Sequence, residues 1–311
     1  MAERGLKQTC GFEQRSGPGT TQAMTRPAAH ALAEAIGSLD ILDKPAATIG
    51  RQVRRLLPAG PLKDALSGVW MGHALHPLLT DVPIGTWTSA TLLDIAGGRD
   101  SERAAELLIA IGIAAAAPTV VTGWSDWADS EPGSDEVRRI GIVHAVSNIT
   151  ALALYAGSLA ARRRGRRAAG VALGLAGAGA LGAGGWLGGD LAYARGVGVN
   201  ETAFQRAPGD WTPVLDASML VENRPTAARL ADIELLLVRR NGAIHALADR
   251  CAHRGGALHE GELVGDCIEC PLHGTRIRLQ DGSLQRGPST YPQPVFEARE
   301  HGGRVEVRSA A

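Results

Sequence analysis

Two short segments near the C-terminus carry cysteine and histidine at spacings suited to iron–sulfur chemistry. Cys251 and His253 form a Cys-x-His pair, and Cys270 and His273 form a Cys-x-x-His pair. A [2Fe–2S] cluster of mixed ligation needs two thiolates on one iron and two imidazoles on the other. Each segment supplies one ligand of each kind. The sequence therefore predicts this cluster, with the four side chains as iron ligands.

Two simpler interpretations use the same residues. A Cys2His2 zinc site has the same ligand types, but zinc fingers group two cysteines first and two histidines second rather than in mixed pairs. Alternatively, Cys251 and Cys270 are ordinary buried thiols beside unrelated histidines. Gly255, Gly256 and Gly274 follow the two pairs and favour the cluster, because glycines let two loops close over it without side-chain clashes.

The residues around these pairs resemble Rieske ferredoxins, of the type that serves dioxygenases, and the small subunits of assimilatory nitrite reductases. The matching stretches are Cys-Ala-His-Arg-Gly-Gly-Ala-Leu at 251–258, Gly-Asp-Cys-Ile-Glu-Cys-Pro-Leu-His-Gly at 265–274 and Asp-Gly-Ser-Leu at 281–284. The resemblance runs from about Asp210 to Arg308. It implies a [2Fe–2S] cofactor and one-electron transfer.

Strand-like runs separated by turns fill residues 205–311, for which we predict an all-β, antiparallel domain. Asn241-Gly242 and Asp281-Gly282 are hairpin turn sequences. The expected hairpins join three pairs of runs: Ile233–Val238 with Ile244–Leu247, Ile277–Leu279 with Leu284, and Val295–Ala298 with Val305–Val307.

Respiratory Rieske proteins carry an extra cysteine beside each ligand pair and two hydroxyl donors to the cluster sulfurs. This chain has Gly256 in place of one such cysteine, no cysteine at Thr275, and Ile277 in place of one hydroxyl donor. Hydrogen bonds to cluster sulfurs raise the potential. The resemblance therefore implies the lower-potential, ferredoxin-like class, with the exposed edges of His253 and His273 as the electron exit.

Four apolar segments occupy residues 71–199, for which we predict an all-α, four-helix transmembrane domain. Each segment has the length needed to cross a bilayer as a helix. The last is rich in small residues, including Gly170-x-x-x-Gly174 and Gly185-x-x-x-Gly189, a spacing that lets helices approach closely. A buried soluble bundle is the alternative. The segments are Leu75–Ala96, Ala104–Val121, Ile140–Ala161 and Ala168–Leu187.

Polar residues in these segments mark places where function can reside. His76 begins the first segment and His144 lies early in the third. One hypothesis is that both ligate a b-type haem from facing helices. In the simpler interpretation, His76 caps its helix and His144 forms hydrogen bonds within the bundle.

The same region resembles the DUF2231 family of small bacterial membrane proteins from about Gly72 to Val199. The resemblance is carried by His76-Pro-Leu-Leu, by Pro83 and Asp94, and by Gly-Gly-Asp-Leu-Ala-Tyr-Ala-Arg-Gly at 188–196. It implies membrane embedding and no particular activity. Arg195 stands where many relatives have histidine, which weakens the haem hypothesis.

The first 70 residues have a different character. Residues 1–30 lack apolar periodicity and are expected to be disordered, without a cleaved signal peptide. From Ala28 to Leu57 apolar residues recur at helical spacing beside Arg51, Arg54 and Arg55, so this arm lies either on a membrane surface or in solution. The formal net charge of zero motivates no nucleic-acid partner.

Basic residues leave the orientation finely balanced. The loop Arg162–Arg167 is strongly basic and should be cytoplasmic, which places both chain ends outside. Arg54, Arg55, Lys63, Arg138 and Arg139 favour the opposite orientation. Because iron–sulfur clusters are assembled in the cytoplasm, we expect a cytoplasmic cluster domain in a multi-pass protein of the cell membrane.

These features predict a membrane-anchored Rieske ferredoxin. Its donor is a reductase or a quinol-linked protein, and its acceptor protein is not identified. No residue requires catalysis by the chain itself, and the 38 residues after His273 leave no room for the mononuclear iron domain of an oxygenase. The alternatives are a redox-sensing membrane protein and a haem-containing, quinone-linked oxidoreductase.

Overall fold

The computed structural model describes residues 28–205 and 207–309, where a helical region is followed by a β domain. The expected disorder falls mainly on residues 1–27, outside the described range, while Ala28–His30 already belong to the first helix. A short π-helix, Asp190–Ala194, extends the last helix. The α-helices within the described residues are α1 (Ala28–Gly37), α2 (Asp43–Leu56), α3 (Pro61–Ser67), α4 (Leu75–Ala96), α5 (Glu102–Ser130), α6 (Asp135–Arg163) and α7 (Arg167–Gly189).

Helices α4 to α7 run alternately up and down, joined by short turns. Three segments, 102–133, 135–163 and 167–194, are long and apolar enough to cross a membrane. Helix α4 has the bounds expected from sequence but is not among these three, because its polar residues lower its hydropathy. The predicted count of four spans is thus not confirmed. Helices α5 and α6 are longer than their apolar segments, since polar turns extend them toward the β domain.

Close packing of α6 and α7 depends on a row of small residues. Gly170, Gly174, Gly177 and Gly184 are buried on α7, and Ser158 Oγ donates a hydrogen bond to Gly170 O at 2.6 Å. The first predicted small-residue motif therefore lies in a helix contact. The second does not: a Cβ at Gly185 would have no described atom within 4 Å, and one at Gly189 would meet only Tyr193 at 4.0 Å.

The N-terminal helices are held on the bundle by ion pairs. Glu131, at the end of α5, is 2.7 Å from Arg54 Nη1 on α2 and 2.9 Å from Arg138 Nε on α6. Arg139 also pairs with Asp43 at 2.7 Å. Arg54 therefore faces the protein rather than a lipid surface, and these arginines are poor guides to orientation because carboxylates neutralise them.

The β domain has two antiparallel sheets whose facing sides form the core. The larger sheet has the order β1-β10-β9-β4-β3-β2 and the smaller has β5-β6-β7-β8. The three predicted hairpins are confirmed as β3–β4, β7–β8 and β9–β10. Asn241 and Gly242 both have positive φ, as a tight hairpin turn requires. The strands are β1 (Thr212–Asp216), β2 (Thr226–Leu230), β3 (Ile233–Arg240), β4 (Ala243–Ala248), β5 (Glu262–Val264), β6 (Cys267–Glu269), β7 (Arg276–Arg278), β8 (Leu284–Arg286), β9 (Val295–His301) and β10 (Arg304–Ser309).

The β domain sits with its loop end on the end of the helical region. Gly287 approaches α3 and the turn after it so closely that an added Cβ would lie 2.8 Å from Asp64 Oδ1 and would collide with Val69. His253 Nε2 lies 3.6 Å from Asp129 Oδ2 on α5. The basic loop Arg162–Arg167 is at the other end of the helices, where Arg162 pairs with Asp94.

A buried lysine pairs with Asp129, the helical-domain residue of this contact. Lys63 on α3 is 4% exposed, and its Nζ lies 2.8 Å from Asp129 Oδ2, 2.9 Å from Ser125 O and 2.8 Å from Ser125 Oγ. An ammonium has three N–H donors, and three oxygens surround this one. Lys63 therefore neutralises and positions the carboxylate that meets His253.

We expect Lys63→Met to destabilise the protein by about 3–5 kcal/mol, because removing one member of a buried ion pair leaves an uncompensated charge. Thermal unfolding of the purified protein in detergent should show a clear drop in Tm, and protease should cleave between α7 and β1 faster. Lys44→Met, at an exposed position of α2, is the matched control. Equal Tm values for the two variants would show that the pair is not needed.

Candidate metal centre

The two loops that carry the cysteine–histidine pairs share one backbone frame. Cys251 N donates to Gly256 O at 2.9 Å, and Gly255 N donates to Cys251 O at 2.8 Å. In the second loop Cys270 N donates to Thr275 O at 2.8 Å, and Gly274 N donates to Cys270 O at 3.0 Å. The fourth residue after each cysteine is a glycine with positive φ, 66° at Gly255 and 73° at Gly274. The same turn therefore forms twice, despite the different histidine spacing.

The two loops also approach each other closely at Gly256. A Cβ at this position would lie 3.0 Å from Cys270 Sγ and 2.9 Å from Leu272 Cγ. A side chain here would push the second loop away. This close approach explains the glycine that the sequence places beside the first cysteine–histidine pair.

The cysteine sulfurs lie inside the domain core, in contact with each other. Cys251 and Cys270 are 1% and 3% exposed and belong to the hydrophobic cluster between the two sheets. A hydrogen bond between the thiols, followed by burial, raises the pKa of Cys251, and the same bond lowers the pKa of Cys270 to about 7. Backbone amides of residues 253, 254, 272 and 273 also donate to these sulfurs, and such donors stabilise thiolates.

The two imidazoles form a second pair. The rings of His253 and His273 have centroids 5.0 Å apart and planes at 85°. Burial lowers the pKa of both histidines, and that of His253 falls well below its usual value. Both rings are therefore neutral near pH 7, which is the form that binds metals.

One ring nitrogen of this histidine pair is buried without a hydrogen-bond partner among the described residues. His253 Nδ1 is fully enclosed and makes no hydrogen bond, although an unpaired buried polar atom ordinarily costs about 1–3 kcal/mol. A metal bond would satisfy it. No three His, Cys, Asp or Glu side chains in the described ranges converge as ligands of a single ion. A sulfur pair and an imidazole pair fit a two-iron group, with two protein ligands on each iron.

Residues outside the motif, which no sequence pattern marks, hold the first loop in place. Gln293 is buried, and its Nε2 donates to Ala248 O and Arg250 O at 2.7 Å each while its Oε1 accepts from Ala252 N at 3.1 Å. Asp249 Oδ2 lies 2.6 Å from His259 Nδ1. His259 is therefore a structural partner of the loop. Neither residue has a spacing that marks it.

Thr275 and Ile277 lie at the base of the second loop. Both are fully buried. Thr275 Oγ1 accepts from Ser289 N at 3.2 Å, so its own hydroxyl hydrogen remains able to donate, whereas Ile277 belongs to the core and has no donor.

The histidine edges are less open than the sequence suggested. The His253 side chain is only 16% exposed because Asp129 on α5 covers it, so the predicted exposed edge is wrong for this residue. His273 lines an open cavity between the two domains. Asp129 and Lys63 lie in a helical region for which the sequence predicts only an anchor, and no sequence pattern identifies them as neighbours of the candidate centre.

The histidines proposed as haem ligands contact backbone and glycine instead. His76 Nδ1 is 3.0 Å from Thr119 O on α5, and His144 Nδ1 is 2.8 Å from Gly184 O on α7. A Cβ at Gly123 would come within 2.6 Å of the His76 ring. Each histidine ring thus packs in the narrow space between two helices.

Comparison with known proteins identifies the β domain. Residues 210–297 match the Rieske [2Fe-2S] domain. The anthranilate 1,2-dioxygenase ferredoxin subunit of Burkholderia cepacia is 35% identical over 99 residues, which are 32% of this chain and 91% of that protein. Ferredoxin CarAc of Metapseudomonas resinovorans is 39% identical over 85 residues, 27% of this chain and 75% of that protein. Cholesterol 7-desaturase nvd of Xenopus laevis is 34% identical over 91 residues, 29% of this chain but only 20% of that larger protein.

The helical region matches a different family model. Residues 72–201 match the predicted membrane protein family DUF2231. The matching domain is a [2Fe–2S] domain, so the comparison favours an iron–sulfur cluster over a zinc ion at this site. The chain belongs, through its C-terminal domain, to the Rieske [2Fe–2S] ferredoxin family, and it joins that domain to a DUF2231 membrane domain.

Proposed function

We propose that this protein is a membrane-anchored, one-electron carrier whose [2Fe–2S] cluster is ligated by Cys251, Cys270, His253 and His273. The enclosed and unpaired Nδ1 of His253 is the observation that carries this assignment. In the proposed organisation, residues 1–70 form an N-terminal arm, 71–199 a four-span membrane domain and 205–311 the cluster domain.

Each ligand already has the surroundings that its role needs. Backbone amides that donate to the two sulfurs favour the thiolate form. Burial keeps both imidazoles neutral, and neutral ligands leave a cluster easier to reduce than thiolates do. When bound, the cluster supplies a site for one electron. Gln293 and Asp249 hold the first loop rigid around it.

The relatives point to a carrier between proteins. The ferredoxins from Burkholderia and Metapseudomonas are by name a ferredoxin subunit of a dioxygenase and a ferredoxin. By analogy, the donor of this chain is a reductase or a quinol-linked protein, and its acceptor is another protein at the membrane. Electron transfer of this kind does not require the chain to catalyse a reaction of its own.

A second function is favoured by the contact between the domains. Because His253 lies against Asp129 of α5, a change of cluster charge or loss of the cluster acts directly on a membrane helix. A redox sensor would use this contact. Rapid reversible reduction by a ferredoxin reductase supports the carrier, whereas a change of protease sensitivity in the helical region upon oxidation supports the sensor.

Haem has no independent support. His76 and His144 both have their Nδ1 atoms at backbone carbonyls and their rings against glycines of neighbouring helices. A haem-containing, quinone-linked oxidoreductase therefore remains the weakest alternative. A Soret band that disappears in His76→Ala or His144→Ala would revive it.

We expect Cys251→Ala to abolish the cluster, because one iron would lose half of its protein ligands. The purified protein should bind two irons per chain and give, after dithionite reduction, the low-temperature EPR signal of a cluster with two imidazole ligands. Cys267→Ala is the matched control, since this free cysteine belongs to neither pair. His253→Ala and the exposed His301→Ala form a second matched pair.

Bound zinc and a silent EPR spectrum in the wild type would contradict the proposed function. An intact signal in Cys251→Ala would contradict the ligand assignment alone. Iron content and EPR amplitude thus separate failure of the function from failure of one named ligand.

We propose, as expected from the sequence, that the cluster domain lies on the cytoplasmic side of the membrane. A labelling experiment tests this orientation. In a Cys10→Ser, Cys267→Ser background, Gln280→Cys reports the exposed side of the β domain and Arg164→Cys reports the other end of the helices. We expect a membrane-impermeant maleimide to label Arg164→Cys, and not Gln280→Cys, in intact cells. Labelling of Gln280→Cys alone would place the cluster outside.

A further inference from the structure

An open groove of about 490 Å³ lies between α2 and the start of α6. Its lining residues are Asp43, Lys44, Ala47, Thr48, Arg51 and Arg138. Three of these side chains are cationic and one is anionic, so the groove carries a net positive charge. A hydroxyl lies among them, and Thr48 Oγ1 accepts a hydrogen bond from Arg51 Nη2 at 3.1 Å.

The cations of the groove differ in whether a carboxylate neutralises them. Arg138 pairs with two carboxylates outside the groove, at 2.7 Å and 2.9 Å. Asp43, the carboxylate inside the groove, pairs with Arg139 at 2.7 Å. Lys44 and Arg51 are exposed and form no ion pair with any described residue. These two cations are therefore left without a counter-charge.

Lys44 and Arg51 belong to a basic stripe along α2 that faces away from the helical bundle. Arg55 is the third member, also exposed and without an ion pair in the described part of the chain. Spacings of seven and four residues place the three cations on one face of a helix. Ala46 and Gly50 lie on the opposite face and are buried. The stripe therefore directs its charge outward.

The stripe is held at the level of the membrane surface. Helices α5 and α6 have 29 residues each, which at a rise of about 1.5 Å per residue makes them about 44 Å long. A bilayer with its headgroups is about 40–45 Å thick, so the connection between these two helices lies in the headgroup region. Glu131 in that connection pairs with Arg54 of α2, and a Cβ added at Gly50 would collide with it. Helix α2 therefore lies in the same region.

Apolar side chains are exposed at both ends of the stripe. Leu39 and Ile41 directly precede α2 and are 45% and 78% exposed, and Leu56, which ends it, is 76% exposed. Trp70, in the turn before α4, is 69% exposed. Cations beside exposed leucine, isoleucine and tryptophan side chains are typical of helices that lie in the headgroup region.

We propose that the basic stripe of Lys44, Arg51 and Arg55 binds the headgroups of anionic phospholipids, with a lipid phosphate in the groove between Lys44 and Arg51. Phosphate oxygens accept charge-assisted hydrogen bonds from ammonium and guanidinium groups. Free inorganic phosphate would satisfy the same two cations, but it would leave the exposed apolar side chains in water. A phospholipid satisfies both. The inference concerns the helical region and does not depend on the cluster.

The test uses the full-length protein, freed of bound lipid, in micelles of a neutral detergent. A phosphatidylglycerol with a dansyl label on its acyl chain is added, and binding is measured as energy transfer from tryptophan. We expect saturable transfer. Unlabelled phosphatidylglycerol should abolish it at a mole fraction at which phosphatidylcholine has little effect, because only the first lipid carries a net negative charge.

The double variant Lys44→Gln, Arg51→Gln removes both cations of the groove. Each cation near an anionic lipid surface contributes to binding, so the mole fraction of labelled lipid for half-maximal transfer should rise roughly tenfold or more. Arg224→Gln with Arg229→Gln, two exposed positions of the β domain, is the control with the same change of charge. Without phospholipid, both double variants should unfold at the Tm of the wild type, since all four side chains are exposed.

Three results would overturn the proposal. Equal lipid binding by the two double variants would show that Lys44 and Arg51 take no part. Equal displacement by phosphatidylcholine would show that charge is not recognised, and equal displacement by inorganic phosphate at the same concentration would assign the groove to a free anion. The cluster EPR signal, recorded on the same samples, tests the proposed function separately, because its absence would leave the lipid result unchanged.

Discussion

The contact between His253 and Asp129 is the constraint that relates the two halves of this molecule. A carboxylate beside a buried imidazole is tolerable because Lys63 neutralises it from the other side, with its Nζ 2.8 Å from Asp129 Oδ2 and hydrogen-bonded twice to Ser125. Removing water from such groups is costly unless charge and hydrogen bonds are both satisfied. The helical domain thus presents a prepared polar surface, and the candidate cluster end of the β domain rests on it.

Within the β domain, the repeated loop is the feature on which the centre depends. Two turns with the same pair of backbone hydrogen bonds place one sulfur each in the core and one imidazole each toward the helices. The two kinds of candidate ligand therefore lie at different distances from the centre of the domain. The thiols sit among aliphatic side chains and backbone amides, and the imidazoles sit at the domain boundary, where the cavity and Asp129 begin. Charge added to the cluster would therefore be felt first by groups of the helical domain.

Much of this structure could be predicted from the chain because its signals are local. Asn241-Gly242 determines a hairpin, and Cys-x-His with Cys-x-x-His identifies a family of iron–sulfur domains. The long apolar runs identified α5 to α7. What the sequence did not reveal depends on contacts between distant residues. Lys63 and Asp129 are separated by 66 positions and carry no motif, and Gln293 resembles any polar residue of a loop. The burial of His253 was missed for the same reason, since a loop motif contains no information about what covers it.

The short connection between the two domains affects how strongly they must bind each other. Residues 195–211 separate the end of the π-helix from β1, and a chain of that length reaches at most on the order of 60 Å. A tether this short gives the cluster domain an effective concentration in the millimolar range at its own docking surface. A contact worth only about 4 kcal/mol is then enough to keep the domain docked for half of the time. If the proposed function holds, a tether of this length would let the β domain leave the helical surface, meet a partner and return while it stays attached to the helical domain.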